Sequence, residues 1–186
     1  LRAVRLGLRS YTVPGSSGYG DKSIAQYVKD GNLGSFTLGP WPVNAMELSN
    51  VAATLGSGGM WCPPNPIKSI SRIKRDAYGN PVMDPSGRPA LTSVPFNAPA
   101  CAQVVEEGLA NTLANAMNKD AVSGTGAGAA QSVGWTFPMS GKTGTTEAHE
   151  SAAFLGFNDK FAAATYIFND GTSSSPICSS PARQCG

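Results

Sequence analysis

The sequence predicts an α+β fold in which helices cover one face of an antiparallel sheet. Three observations lead there. Helical patterns fill the first two thirds of the chain, and consecutive strand-like runs fill the last third. The 22 glycines and 14 prolines among 186 residues mark many turns and short elements. Hydrophobic residues at 41% suffice for a packed core and are too many for a disordered chain. Charged residues are only 14%, against roughly 25% in an average globular chain. The net charge of +2 gives no electrostatic argument for nucleic acid or an anionic membrane. The longest apolar run, 161–168, is too short to span a bilayer.

Leu1, Val4 and Leu8 fall on one helical face. With neither an initiator methionine nor a signal peptide, the chain reads as part of something longer, entered in mid-helix. After the loop PGSSGYG, Asp21 can cap a short helix carrying Ile24, Tyr27 and Val28. GSFTLG is a brief strand or turn. PVNAMELSNVAATLGSGG is a helix with Met46, Ala53 and Leu55 among its apolar positions, closed by Gly56, Gly58 and Gly59. CPPNP breaks the chain. The segment 67–83 then reads as a hairpin about Tyr78-Gly79-Asn80-Pro81, although Ile67, Ile70 and Ile73 have helical spacing. A long helix starts near Pro99 and runs through Val105, Leu109 and Leu113. Residues 1–130 are thus mainly helical, 135–170 are strands with a hairpin turn at Asn158 to Lys160, and 171–186 form a polar loop tail.

Cys62, Cys101, Cys178 and Cys185 admit three full pairings. There is no C-x-x-C and His149 is the only histidine, so no metal site is expected. The even count and low charge favour an oxidising compartment over four reduced core thiols.

The chemistry centres on MSGKTGTTEAH, residues 139–149. A phosphate-binding loop needs a glycine five residues before its G-K-[ST] glycine. Here that position is Thr136, and Pro138 removes one backbone donor. A strand candidate follows where a helix should open, so the nucleotide reading fails. Lys-Thr-Gly-Thr on an edge strand has a different logic. It offers an ammonium, hydroxyls and backbone N–H groups in fixed alternation, and glycine lets a substrate backbone approach. By itself the tripeptide fits an ordinary strand with a solvated lysine equally well.

Its surroundings change the balance. MELSNVAATLGSGG, PNPIKSISRIKRDAYGNPV, CAQVVEEGLANTLANAM, SGTGAGAA, SGKTGTT and AAFLGF follow one another in the order found in class A penicillin-binding proteins. From Leu1 to Asp170 the chain resembles the C-terminal half of their transpeptidase domain. The resemblance implies a penicillin-binding, serine β-lactamase-like fold, incomplete in these residues.

Such enzymes use Ser-x-x-Lys, Ser-x-Asn and Lys-Thr-Gly. Only Lys142-Thr143-Gly144 stands where the family would put it. Ser71 to Lys74 reads SRIK, but it lies in the hairpin and after the glycine-ended helix, so it reads as a coincidence. No Ser-x-Asn occurs. His149 and Ser151 could share a strand face, yet no Gly-x-Ser-x-Gly elbow supports a histidine-activated serine. Glu106 and Glu107 read as a solvated helix face.

The resemblance implies a D,D-transpeptidase acting on peptidoglycan stem peptides, trapped by β-lactams, outside the cytoplasmic membrane and without a cofactor. In that scheme Lys142 and Thr145 are catalytic, through charge and an oxyanion N–H. Thr143, Gly144, Thr145 and Thr146 line the substrate. The remainder of the domain is a necessary partner, and membrane contact comes through another segment. A non-catalytic wall-binding module and a serine β-lactamase-type hydrolase are the alternatives, separated by whether the missing motifs and a deacylating carboxylate lie elsewhere. The family topology also implies bridges Cys62–Cys101 and Cys178–Cys185.

Overall fold

The computed structural model describes residues 1–169, 176 and 177, so the expected Cys178–Cys185 bridge lies outside the described residues. The fold is α+β, with mixed helices and antiparallel sheets. The chain divides into two compact units, Cys62–Cys101 and the rest.

In the larger unit, α1 (Arg2–Leu6) stops at Gly7, whose φ of 148° favours glycine. A 3₁₀ turn at Arg9–Thr12 follows, then α2 (Ile24–Asp30). Ser23 rather than Asp21 caps α2, its hydroxyl accepting the Gln26 N–H at 3.2 Å. GSFTLG forms neither strand nor simple turn but a 3₁₀ helix, Gly34–Leu38. Tyr11, Ile24 and Val28 are buried together, with Phe36, Trp41 and Val43 packed against them.

Helix α3 (Ala45–Gly56) is capped by Asn44, which accepts the Glu47 N–H at 2.8 Å. It buries Ala52, Thr54 and Leu55, whereas the expected Met46 and Ala53 are exposed. The buried Thr54 hydroxyl bridges the carbonyls of Asn50 and Leu6 at 2.8 and 2.9 Å, tying α3 to α1. Strand β1 (Met60–Trp61) follows a turn at Gly59. A Cβ on Gly59 would lie 2.3 Å from the Val105 carbonyl oxygen, and its φ is +87°, so only glycine fits.

The expected long helix from Pro99 is corrected by the structure. Ala102–Gln103 is a strand, β4, paired with β1, and α4 begins only at Glu107 and runs to Met117. Local apolar spacing cannot separate a strand from a helix in so short a run, and the distant pairing of Met60 with Gln103 and Trp61 with Ala102 decides it. Leu109 and Leu113 are exposed, and Ala110 is the buried residue of α4. Short helices α5 (Asp120–Ser123) and α6 (Ala127–Ser132) lead to β5 (Ser140–Thr145), β6 (Ser151–Phe157) and β7 (Ala162–Phe168).

These last three strands make an antiparallel sheet in the order β5-β6-β7. Asn158 closes the β6–β7 hairpin by accepting the N–H groups of Lys160 and Phe161 at 2.9 and 2.8 Å. One face packs on α3, where Phe157 joins Ala52 and Leu55, flanked by Leu6, Met117 and Leu155. Burying a side chain the size of Leu55 or Phe157 stabilises by about 1.5–3 kcal/mol.

The smaller unit is closed by the Cys62–Cys101 disulfide, with Cα atoms 4.2 Å apart. Its hairpin is larger than the segment 67–83. Strand β2 (Ile70–Ile73) pairs with β3 (Leu91–Val94), and between them lie two turns closed by bridges Arg75↔Pro81 and Met83↔Pro89. The turns repeat one pattern, Asp-x-x-Gly-x-Pro, at Asp76–Pro81 and Asp84–Pro89. Asp76 Oδ1 accepts the N–H groups of Tyr78 and Asn80, both at 2.9 Å. Asp84 Oδ1 accepts those of Ser86 and Arg88, at 2.8 and 3.0 Å. These bonds hold both carboxyls below the ordinary aspartate value, led by the Asn80 N–H for Asp76 and the Ser86 hydroxyl for Asp84.

Candidate active site

The Lys-Thr-Gly-Thr run forms β5, an edge strand of the described sheet. The Ser140 hydroxyl donates to the Ala114 carbonyl at 2.7 Å and fixes the start of β5 against α4. Side chains alternate along it. Thr143 shares a row with Phe154 and Thr165, and Thr145 shares the next with Ala152 and Ile167. These rows form the sheet face turned away from α3. They border an open groove of about 1660 Å³, whose lining also includes the Gly124–Gly126 turn, Trp135 and Phe161.

The Thr146 N–H donates to the Ser151 carbonyl at 3.1 Å, toward β6. Successive N–H groups of a strand alternate sides, so the Thr145 N–H points to the open edge. Lys142 is exposed and its ammonium donates to the Thr143 carbonyl at 2.9 Å. Among the described residues it forms no ion pair. Thr146 goes elsewhere. Its hydroxyl oxygen accepts the N–H groups of Glu150 and Ser151 at 3.0 Å each, inside the β5–β6 turn. Thus Thr143, Gly144 and Thr145 come together on the groove, Lys142 stands in the alternate row with Leu155 and Ala164, and Thr146 shapes the strand end.

His149 occupies that turn with φ +54°, two residues before β6, so it shares no strand with Ser151. Ser71 lies on β2 opposite Ser93, and Lys74 follows the strand three positions on, where strand alternation sends it to the other face. The serine and lysine of SRIK do not converge. Glu106 and Glu107 are exposed at the start of α4.

Two site residues escape sequence reasoning. Thr125 Oγ1 hydrogen-bonds Thr143 Oγ1 and also donates to Asp120 Oδ1 at 3.0 Å. The glycine-flanked Thr125 is a visible signal, whereas Asp120 is one acidic residue among twelve.

An exposed Lys-Thr-Gly-Thr edge strand beside an open groove, on a sheet backed by helices, is the arrangement expected of penicillin-recognising proteins. The family described as penicillin binding protein transpeptidase domain matches residues 6–171, and the chain belongs to it. The crystal structure of penicillin-binding protein 1A from Haemophilus influenzae is similar, with a TM-score of 0.54 and 20% identity. That similarity covers 74% of this chain and 24% of the other, so the chain spans about a quarter of that protein's length. No curated protein matches the chain. Among the described residues, no helix is long and apolar enough to cross a membrane.

Proposed function

We propose that the chain supplies the Lys-Thr-Gly wall of a serine D,D-transpeptidase that cross-links peptidoglycan. A serine attacks the D-Ala-D-Ala carbonyl carbon, D-alanine leaves with a proton on its amine, and an amine of a neighbouring stem peptide then displaces the serine. β-Lactams are trapped at the acyl-serine stage. The Thr143 and Thr145 hydroxyls face the substrate carboxylate, and Lys142, in the alternate row of β5 with Leu155 and Ala164, supplies positive charge from the other side of the strand. Gly144 leaves room for the substrate backbone, and the edge-facing Thr145 N–H serves as an oxyanion donor. Thr146 holds the strand end in register.

The observation that carries this reading is the Thr143–Thr145 edge with its outward N–H on an open groove, in a member of the transpeptidase family. The 186 residues contain no Ser-x-Asn, and their one Ser-x-x-Lys does not converge. The reading therefore places the nucleophile in another part of the domain and expects residues 1–186 alone to be inactive. Its working place is the extracytoplasmic face of the membrane, where peptidoglycan is assembled.

The test uses the full-length protein and a fluorescent penicillin. Lys142→Ala should slow acylation at least about tenfold, or 1.4 kcal/mol, while Ser71→Ala leaves it unchanged. A label attached to Ser71, or an unaffected Lys142 variant, would sink the reading. Labelling that rises and then decays through rapid hydrolysis would favour the β-lactamase alternative, and no labelling at all the binding module.

A further inference from the structure

We propose that Asp120 sets the direction of a hydroxyl relay that decides how the groove receives a carboxylate. This rests on the acyl-transfer reading above. Asp120, in the first turn of α5, accepts a hydrogen bond from Thr125 Oγ1 at 3.0 Å through Oδ1. Thr125 Oγ1 is also hydrogen-bonded to Thr143 Oγ1, 18 residues along the chain. Asp120 Oδ2 is buried without a hydrogen-bond partner among the described residues. The turn closes on this carboxylate because it carries no side chains beside Thr125. A Cβ on Gly126 would sit 2.7 Å from Asp120 Oδ2, and one on Gly124 would sit 2.6 Å from the Asp120 Cα.

A threonine hydroxyl has one hydrogen, and a carboxylate only accepts. Thr125 therefore gives its hydrogen to Asp120 and must accept from Thr143. In this arrangement the Thr143 proton is directed at Thr125, and what Thr143 offers the groove is an acceptor. A substrate carboxylate needs donors. For Thr143 to supply one, the relay must reverse, with Thr125 donating to Thr143 and Asp120 losing its bond. Asp120 thus acts against the Thr143 share of carboxylate recognition and leaves that task mainly to Thr145 and Lys142. It is a positioning residue, acting through Thr125, that tunes specificity for the charged end of the ligand.

The experiment measures acylation of the full-length protein by a fluorescent penicillin and by its methyl ester, and reads the ratio of the two rates. Thr145→Val should lower the carboxylate preference about tenfold or more, and Thr143→Val by less than about threefold. Asp120→Asn, whose amide can donate to Thr125, should raise the preference by about three- to tenfold. That gain should vanish in Asp120→Asn with Thr143→Val. Thr125→Val releases the Thr143 proton without touching the carboxylate and should raise the ratio too. A merely structural role would slow both reagents together. The proposal is overturned if Asp120→Asn and Thr125→Val lower the ratio or leave it unchanged while Thr145→Val still lowers it. If Thr145→Val and Lys142→Ala both leave the ratio unmoved, the acyl-transfer reading falls as well.

Discussion

The carboxylate of Glu47 takes both donors of Ser10, the backbone N–H at 2.7 Å and the hydroxyl at 2.6 Å, across 37 residues of chain. The pair joins the 3₁₀ turn after α1 to the first turn of α3, so it fixes the entry of the helix that backs the sheet. Hydrogen bonds to a charged acceptor contribute about 1.5–3 kcal/mol each, and here two share one carboxylate. Glu47→Ala should cost about 2–4 kcal/mol in urea unfolding of the full-length domain, and Glu47→Gln less. A loss under about 0.5 kcal/mol for the alanine variant would remove the pair from the account of stability.

Tyr166 presents the opposite case. Its hydroxyl is buried with no hydrogen-bond partner among the described residues, and burial pushes its phenol above the ordinary value of 10.0. Tyr11 is pushed the same way, first by burial and then by Tyr166 and Glu47 nearby. Raised folded values mean that stability is intact below the ordinary value and is lost as pH climbs through the raised ones. Tyr166→Phe should therefore leave the Tm at neutral pH unchanged or higher and flatten its decline above pH 10. A drop in Tm at neutral pH would mean that the hydroxyl has a partner in solution.

The repeated turns of the smaller unit make an acid prediction. The Asp76 and Asp84 carboxyls lie below their ordinary value of 3.8. Depressed folded values mean that their stabilisation is complete above the ordinary value and is lost as pH falls through the lowered ones. Amide proton shifts of Asn80 and Arg88 should titrate together with midpoints under 3.8. Asp76→Asn and Asp84→Asn should each abolish the titration in its own turn alone. Midpoints at or above the ordinary value would contradict the bonding described.

Reducing Cys62–Cys101 reopens a loop with a sequence separation of 39. Chain entropy places its worth at about 4 kcal/mol, most of it felt within the smaller unit. Cys62→Ser with Cys101→Ser should make the peptide bonds of 63–100 cleave faster under limited proteolysis. Unchanged cleavage rates would show that the hairpin holds itself together without the bridge.

How far these features were legible depended on the range of the interaction behind them. Helix α3 is legible because its Asn44 cap and glycine end lie within one run of sequence. The Asn158 turn is legible for the same reason. Strand β4 is not, because its partner β1 is distant in the chain and the local run Ala-Gln-Val-Val fits a helix as readily. The doubled Asp-x-x-Gly-x-Pro is plain in the sequence at Asp76–Pro81 and Asp84–Pro89, whereas the hydrogen bonds that close each turn on its aspartate are seen only in the fold. In the candidate site, Lys142 and Thr143 announce themselves through their motif. The grip of Asp120 and Thr125 on Thr143 depends on a turn folding back over β5, which no spacing along the chain encodes.

The ends of the smaller unit finish 4.2 Å apart, little more than the roughly 3.8 Å step between consecutive residues. The forty-residue excursion leaves the chain and returns almost to its point of departure, so its interior could be exchanged or abridged without stretching the flanking backbone. A single protease nick inside it also leaves a particular signature. The two pieces stay linked through sulfur and migrate as one band in denaturing gels, then part when reductant is added.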